Sequence, residues 1–149
     1  EDKIYSTTLD VTTDTARSCH RVVIEEKDYT FANVTPQNKW VNRSTIAGGF
    51  VNFSYGVRNN DVTLRGQLYY ASNGGGSTLT ITLGTLPTIA RPTERKVFSY
   101  TAPNVNGLLM NNVVITIETT GVITTFISAI LGGTFEYCTL SLDHCKWIK

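Results

Sequence analysis

One stretch of the sequence decides the fold class, and it reads VNFSYGVRNNDVTLRGQL over residues 51–68. Large apolar side chains alternate with small or polar ones on both sides of Asn59-Asn60, a pattern typical of two strands that each bury one face. Asn tolerates a positive φ, so the two asparagines predict a type I′ hairpin turn. The register that follows from this turn gives the pairs Arg58–Asp61, Val57–Val62, Tyr55–Leu64, Phe53–Gly66 and Val51–Leu68. In this register every large apolar residue lies on one face.

The same alternation recurs in Leu79-Ile81-Leu83 and in Val113-Ile115-Ile117. Gly121 then supplies the positive φ for a reversal. The returning strand, Val122 to Leu131, is apolar on both faces and needs cover from a second sheet or from a neighbouring subunit. Short strands separated by Gly, Pro and Asn turns predict an all-β fold, an antiparallel β-sandwich of jelly-roll type.

The remaining segments complete this prediction. Two strands are possible in the N-terminal part, and a last strand precedes a short tail. Leu86-Pro87 and Arg91-Pro92 bracket a segment that we expect to run extended along a sheet edge or across the ends of the sheets. A soft boundary near 36–40 divides a strap or neck, residues 1–39, from a β-sandwich head, residues 40–149. The two N-terminal strands are predicted at 4–11 and 22–31, the last strand at 135–142 and the tail at 143–149.

The composition limits the classes of function. The chain has 149 residues, 41% of them hydrophobic, and a net charge of +1 from 13 Lys+Arg and 12 Asp+Glu, which suits one domain with a sizeable core. The basic residues are scattered along the sequence, so we expect no nucleic-acid partner, and no apolar run is long enough for membrane insertion. The chain starts at Glu1 without a basic-then-apolar leader, as expected for a processed product or a fragment.

Catalytic motifs are missing from the sequence. Cys19-His20 and His144-Cys145 are adjacent pairs, and adjacent strand residues point to opposite faces, so neither predicts a nucleophile with its base. The usual spacing of zinc ligands is also missing, and we expect no enzyme activity, no metal and no cofactor. With Cys138 the chain has three cysteines, and this odd number favours a reducing site of assembly.

Saccharide binding is the chemistry that the remaining side chains suit best. Aromatic rings pack against the C–H faces of sugars, and Asp, Asn, Arg and His bond the hydroxyls. Such residues occur near the C-terminus and at the predicted hairpin tip. The alternative for each aromatic is core packing, and for Arg58 and Asp61 simple closure of the hairpin. The predicted contacts are Trp40, Arg58, Tyr69, Tyr70, Asp143, His144 and Trp147.

An ordered series of motifs from Asn38 onward resembles the C-terminal head domain of tailed-phage receptor-binding proteins, those of siphophages that infect lactic streptococci and related Gram-positive bacteria. In that family a V-x-L-x-G strand is followed by a loop, an LP…RP crossing and an I-x-I…G-x-I hairpin. The matching residues here are Gly49 to Phe53, Tyr55 to Arg58, Asp61 to Leu68, Leu86-Pro87, Arg91-Pro92, Ile115 to Ile117 and Gly121 to Ile123.

The resemblance implies a homotrimer of jelly-roll-like heads at the tip of a phage tail, which binds the cell-wall saccharide of the host and leaves it intact. Other tail or baseplate proteins are then its further partners in the virion. Two alternatives stay open. One is a structural or protein-binding module of the baseplate or fibre, and the other is a polysaccharide-degrading enzyme that uses Asp143, Glu136 or Glu118 as acids.

Overall fold

The computed structural model describes the backbone of residues 3–9, 19–25, 28–70, 78–103, 110–129 and 139–149. Side chains are described for 28–70, 80–101, 112–128 and 139–149. Predictions for 130–131 and 135–138 therefore lie outside the described residues, as do the side chains of Cys19, His20 and Cys138.

Within these ranges the chain forms β-strands, with two short 3-10 turns at Arg43–Thr45 and Thr88–Ala90. The prediction of an all-β chain is confirmed. In chain order the strands are β1 (Lys3–Leu9), β2 (Cys19–Glu25), β3 (Thr30–Asn33), β4 (Trp40–Asn42), β5 (Ser54–Arg58), β6 (Asp61–Arg65), β7 (Gln67–Tyr70), β8 (Thr78–Thr85), β9 (Lys96–Pro103), β10 (Met110–Ile117), β11 (Val122–Ala129), β12 (Thr139–Ser141) and β13 (Lys146–Ile148).

The described strands pair in antiparallel sheets. β1 pairs with β2 in a two-stranded ladder. The other strands form three larger sheets, which we call the hairpin sheet (order β13-β6-β5-β3), the central sheet (order β8-β11-β10-β9) and the small sheet (order β12-β7-β4). Fully buried side chains come from all three larger sheets and form one core, among them Leu64, Leu68, Leu83, Ile115, Ile123 and Leu140. The fold is therefore all-β and sandwich-like.

The hairpin of β5 and β6 has the predicted register at its tip. Arg58 lies opposite Asp61, Val57 opposite Val62 and Tyr55 opposite Leu64. The predicted type I′ turn is wrong, because that turn requires a positive φ at both central residues and of the two asparagines only Asn59 has one, 54°. Local alternation was sufficient to predict the pairing at the tip, but it did not predict the turn type.

The last two predicted pairs of the hairpin, Phe53–Gly66 and Val51–Leu68, do not form. Gly66 has a φ of +113°, and a Cβ at this position would lie 2.5 Å from the backbone oxygen of Asn52. The chain turns a corner here and leaves the hairpin sheet. Leu68 consequently pairs with Leu140 and with Asn42 in the small sheet, and Val51 is exposed.

β11 is an inner strand of the central sheet, between β8 and β10. Ile123, Thr125 and Ile127 are buried on one face, and the Thr125 hydroxyl donates to the Val114 carbonyl at 3.3 Å. On the other face Phe126 is 41% exposed. The sequence predicted a strand that needs cover on both faces, and the single chain leaves the second face open at Phe126.

Two further segments differ from the prediction. The C-terminal tail is not a plain tail, because β13 pairs with β6. The segment between Leu86-Pro87 and Arg91-Pro92 is not extended throughout. Thr88–Ala90 form a 3-10 turn in which the Ala90 N–H donates to the Pro87 carbonyl. β3 precedes the predicted boundary near 36–40 and pairs with β5, and Val34 lies in the core. The division into strap and head stays a prediction.

The part of the chain that the structure describes contains no helix with the length and apolarity of a membrane crossing.

Candidate functional site

A groove lies beside the tip of the β5–β6 hairpin, and the pairing of β13 with β6 creates it. In that ladder Trp147 is opposite Val62 and Ile148 is opposite Asp61. The Lys149 N–H donates to the Asn60 carbonyl at 2.9 Å, which holds the C-terminal strand against the hairpin turn. The groove has a volume of about 290 Å³ and is lined by Tyr29, Asp61, Val62, Lys146, Trp147 and Ile148.

One wall of the groove is formed by Tyr29 and Asp61, and Arg58 contacts both of them. The Arg58 guanidinium lies 3.7 Å from the Asp61 carboxylate and its Cζ lies 4.5 Å from the centre of the Tyr29 ring. Arg58 therefore connects the hairpin tip to the residue that precedes β3. A cation over a ring and beside a carboxylate loses rotational freedom, so these three side chains form a preformed surface.

The other wall comes from β13. Trp147 is only 6% exposed and packs in the core, whereas Ile148 is 68% exposed. The Trp147 Nε1–H is buried with no hydrogen-bond partner among the described residues. Lys146 is exposed at the rim. The groove thus offers apolar surface, an ammonium, a carboxylate and a phenol, the set of groups that binds a ring with hydroxyls on its edge.

Asp143 and His144 lie elsewhere, in the turn between β12 and β13. Asp143 Oδ1 accepts the Gly66 N–H at 2.8 Å, and the Ser141 hydroxyl donates to Asp143 Oδ2 at 3.2 Å. The His144 ring stands edge-on to Tyr100, with centroids 4.4 Å apart. The Ser141 N–H donates to the Tyr100 hydroxyl at 2.9 Å. These contacts anchor the turn to the Gly66 corner and to β9.

Burial changes the acidity of two groups in this turn. Desolvation lowers the pKa of His144, and the nearby Asp143 carboxylate opposes that decrease. Desolvation raises the pKa of the Cys145 thiol to about 12, and the Asp143 charge adds to the increase. Cys145 is therefore a neutral, buried thiol at neutral pH, and thiols in that state are poor nucleophiles.

The remaining predicted contacts, Trp40, Tyr69 and Tyr70, are in the small sheet. Trp40 is opposite Tyr70 in the β4–β7 ladder, their ring centroids are 5.2 Å apart, and both side chains are buried. Tyr69, on the other face of β7, is half-buried. The single chain therefore exposes little of the Trp40 and Tyr70 rings to a ligand.

The structure thus distributes the seven predicted residues among three places. Trp147 lines the groove, and Arg58 lies beside it in contact with Tyr29 and Asp61. Asp143 and His144 come together at the C-terminal turn, and Trp40, Tyr69 and Tyr70 in the small sheet. Sequence reasoning missed Tyr29, Lys146 and Ile148 as groove residues. Their position depends on the pairing of β3 with β5 and of β13 with β6, and no local motif signals either pairing.

The acids named for the enzyme alternative are in different settings. Asp143 accepts the two hydrogen bonds of the C-terminal turn, Glu118 lies 3.3 Å from Arg95 in an exposed ion pair, and Glu136 is outside the described residues. Among the residues that the structure describes, no group of three or more His, Cys, Asp or Glu side chains is placed to hold a metal ion.

Comparison of the chain with protein-family models, with curated proteins and with solved structures gave no match in any of the three.

Proposed function

We propose that this chain is the non-catalytic, saccharide-binding head of a phage tail receptor-binding protein, and that the groove between Tyr29 and Ile148 is its binding site. One observation carries the proposal. Two predicted sugar contacts far apart in sequence come to one groove, which Trp147 lines and where Arg58 contacts the lining residues Asp61 and Tyr29, an aromatic that sequence reasoning did not single out. An aromatic ring beside hydrogen-bonding charges is the chemistry that sugar recognition uses.

The groove suits weak and repeated binding. It is shallow and open, and a saccharide that enters it exchanges hydrogen bonds with water for hydrogen bonds with protein, which gives about 1 kcal/mol net for each bond. Several copies on one particle turn such weak contacts into firm attachment, because the first contact raises the effective concentration for the next. We therefore place the head at the tail tip, in a homotrimer of jelly-roll-like sandwiches.

The open face of the central sheet supports the trimer. Phe126 on β11 and Val97 on β9 are exposed there, at 41% and 57%. Exposed apolar side chains on a regular sheet face are typical of surfaces that another subunit covers. The same side chains also support the second candidate, a structural module of the baseplate or fibre that meets a different protein on this face.

The binding proposal is tested by applying the protein to an array of cell-wall polysaccharides from Gram-positive hosts. We expect binding to at least one polysaccharide, without shortening of its chains. Tyr29→Leu removes the ring beneath Arg58, and we expect its affinity to fall about threefold to tenfold, the range of an aromatic contact worth about 0.5–1.5 kcal/mol.

Phe50→Leu is the matched control, because Arg43 lies over the Phe50 ring at 4.3 Å, away from the groove. It should bind like the unchanged protein. Absence of binding by protein of confirmed trimeric mass would contradict the proposal, and shortened polysaccharide chains would favour the enzyme.

The trimer is tested by the solution mass, which should be close to three times 16.4 kDa. Phe126→Glu introduces three charges at the proposed interface and should give monomers. Ile46→Glu, an equally drastic change at another exposed apolar residue, should leave the mass unchanged. A baseplate module would be monomeric alone and would lose assembly with its partner protein instead.

A further inference from the structure

The outer face of the hairpin sheet collects basic and aromatic side chains that are scattered in the sequence. The ladders place Lys146 opposite Thr63, Thr63 opposite Gly56 and Gly56 opposite Phe31, in one row across four strands. Three strand spacings of about 4.8 Å make this row roughly 14 Å long. Arg65 and Arg58 flank the row on the same face, because side chains two residues apart on a strand point the same way.

Two arginines on this face lie over aromatic rings. The Cζ of Arg65 is 3.4 Å from the centre of the Phe31 ring, and Arg65 Nε donates to the Ser54 hydroxyl at 3.1 Å. Arg58 lies over Tyr29 in the same way, and the two rings are 5.9 Å apart. A guanidinium stacked on a ring keeps N–H groups at its edge, and these bind planar or tetrahedral anions in a fixed orientation.

Gly56 makes this arrangement possible. A Cβ at position 56 would lie 2.6 Å from Cε1 of Phe31, so the ring lies directly on the backbone of β5. The ring thus lies between the backbone of β5 and its contact with the Arg65 guanidinium. The site is built into the sheet and does not depend on a loop.

The charge balance of the face is clearly positive. Among the described residues of β5, β6 and β13, the register places Arg58, Arg65 and Lys146 on it against Asp61, which is three positive charges and one negative, or +2, whereas the whole chain carries +1. Among the described residues, neither Arg65 nor Lys146 forms an ion pair with a carboxylate. Two cations that pair with no carboxylate in the described part of the chain, on one face of a sheet, attract anions.

From this we infer that the outer face of the hairpin sheet, together with the groove, selects saccharides that carry anionic groups, either phosphate or carboxylate. This inference rests on the proposed function and specifies its ligand class. The rings and Ile148 would contact the sugar, while Arg65 and Lys146 would bind the charge.

The test uses dextran in three matched forms, phosphorylated, carboxymethylated and unmodified, and compares their affinities for the whole chain at low and high salt. At about 50 mM salt we expect at least one charged form to bind about tenfold more tightly than neutral dextran, and the preference to shrink at about 500 mM because salt screens exposed charges. The two charged forms distinguish phosphate from carboxylate.

Variants assign the preference to this face. Lys146→Gln and Arg65→Gln should each reduce the preference for the charged dextran several-fold. Arg95→Gln removes the same charge beside the central sheet and should leave the preference unchanged. Because Arg65 also contacts Phe31 and Ser54, Lys146→Gln decides the outcome if Arg65→Gln does not fold.

Three results would overturn the inference. They are equal binding of charged and neutral dextran, no binding of either charged form at low salt, and tighter binding of a single-stranded oligothymidylate than of the charged dextrans. None of them decides whether the chain binds a polysaccharide on the host-wall array, so the proposed function stands or fails separately.

Discussion

The carboxylate of Asp143 accepts a hydrogen bond from the N–H of Gly66 at 2.8 Å. The Leu142 N–H donates in turn to the Gly66 carbonyl at 3.0 Å, so the C-terminal turn uses both polar backbone groups of this one residue. Gly66 is also the corner at which the chain passes from the hairpin sheet to the small sheet. The turn after β12 therefore fixes the corner, and the corner fixes the position from which β13 returns to the groove.

The first prediction is that Gly66→Ala is strongly destabilising. A side chain is strained at a φ of +113°, and its Cβ would meet the Asn52 backbone, which cannot move as a side chain does. We expect a loss of more than about 2 kcal/mol in the free energy of unfolding, measured by denaturant titration. Gly48→Ala, which has open space around the new methyl group, should change this energy by less than about 1 kcal/mol. Equal losses in the two variants would contradict the proposed strain.

A second prediction concerns the acidity of His144. Its pKa, followed by NMR titration, should lie below the usual value of about 6.5 because desolvation disfavours the imidazolium. Asp143→Asn should lower it further, since the carboxylate favours the charged ring. Glu94→Gln removes a carboxylate that pairs with Lys96, and it should leave the pKa of His144 unchanged. A pKa above 6.5 in the unchanged protein would contradict the desolvation argument.

The same shift gives stability a pH dependence. Between the lowered pKa of the folded state and about 6.5, the unfolded chain binds more protons at His144 than the folded chain does, so stability decreases as the pH falls through this window. Thermal unfolding of His144→Gln should lack this part of the decrease. We expect the difference in stability between His144→Gln and the unchanged protein to be small, because His144 is exposed.

The third prediction is that Cys145 resists thiol reagents in the folded protein. Its pKa of about 12 leaves almost no thiolate near pH 8, and the side chain is buried. Mass spectrometry of the peptide that contains Cys145 should show little labelling by a disulfide reagent until denaturant is added. Labelling of Cys145 in native protein at the rate of a small free thiol would show that the turn after β12 opens readily.

A fourth prediction separates the packing of Trp147 from its polar atom. Trp147→Ala should cost about 3–5 kcal/mol, the usual range for a large buried aromatic. Trp147→Phe keeps most of the apolar contact and removes the buried Nε1–H, so we expect a cost below about 2 kcal/mol. Ile148→Ala is the control, because that side chain is exposed, and it should change stability by no more than about 0.5 kcal/mol.

The sequence was sufficient to predict the strand pairing that depends on neighbours along the chain, although not the type of the turn. The alternation around Asn59-Asn60 gave the correct pairing of Tyr55 with Leu64, because turn and pattern act over a few residues. The same reasoning failed at Gly66, where the backbone of Asn52 approaches from outside the ladder and forces the corner. It also failed for β13, whose three residues form a strand because β6 offers a free edge.

The candidate site was predicted only in part, for a related reason. Residue types identified Arg58 and Trp147 as candidates for saccharide contact, but nothing local shows that they lie beside the same groove. The charges illustrate this most clearly, since Arg58, Arg65 and Lys146 are scattered in the sequence and reach one face only through the β13–β6 and β6–β5 registers. Composition therefore correctly described the whole chain as nearly neutral and missed a local excess of +2.

The position of β13 has a consequence for biosynthesis. Residues 146–148 complete the edge of the hairpin sheet and bring Trp147 into the core, beside strands translated much earlier. Until β13 has been synthesised, the β5–β6 hairpin of the nascent chain has one unpaired edge and apolar side chains exposed to solvent. Partly folded chains in this condition tend to aggregate. Slow elongation between β6 and β13 prolongs that exposure, and rapid synthesis of β13 shortens it.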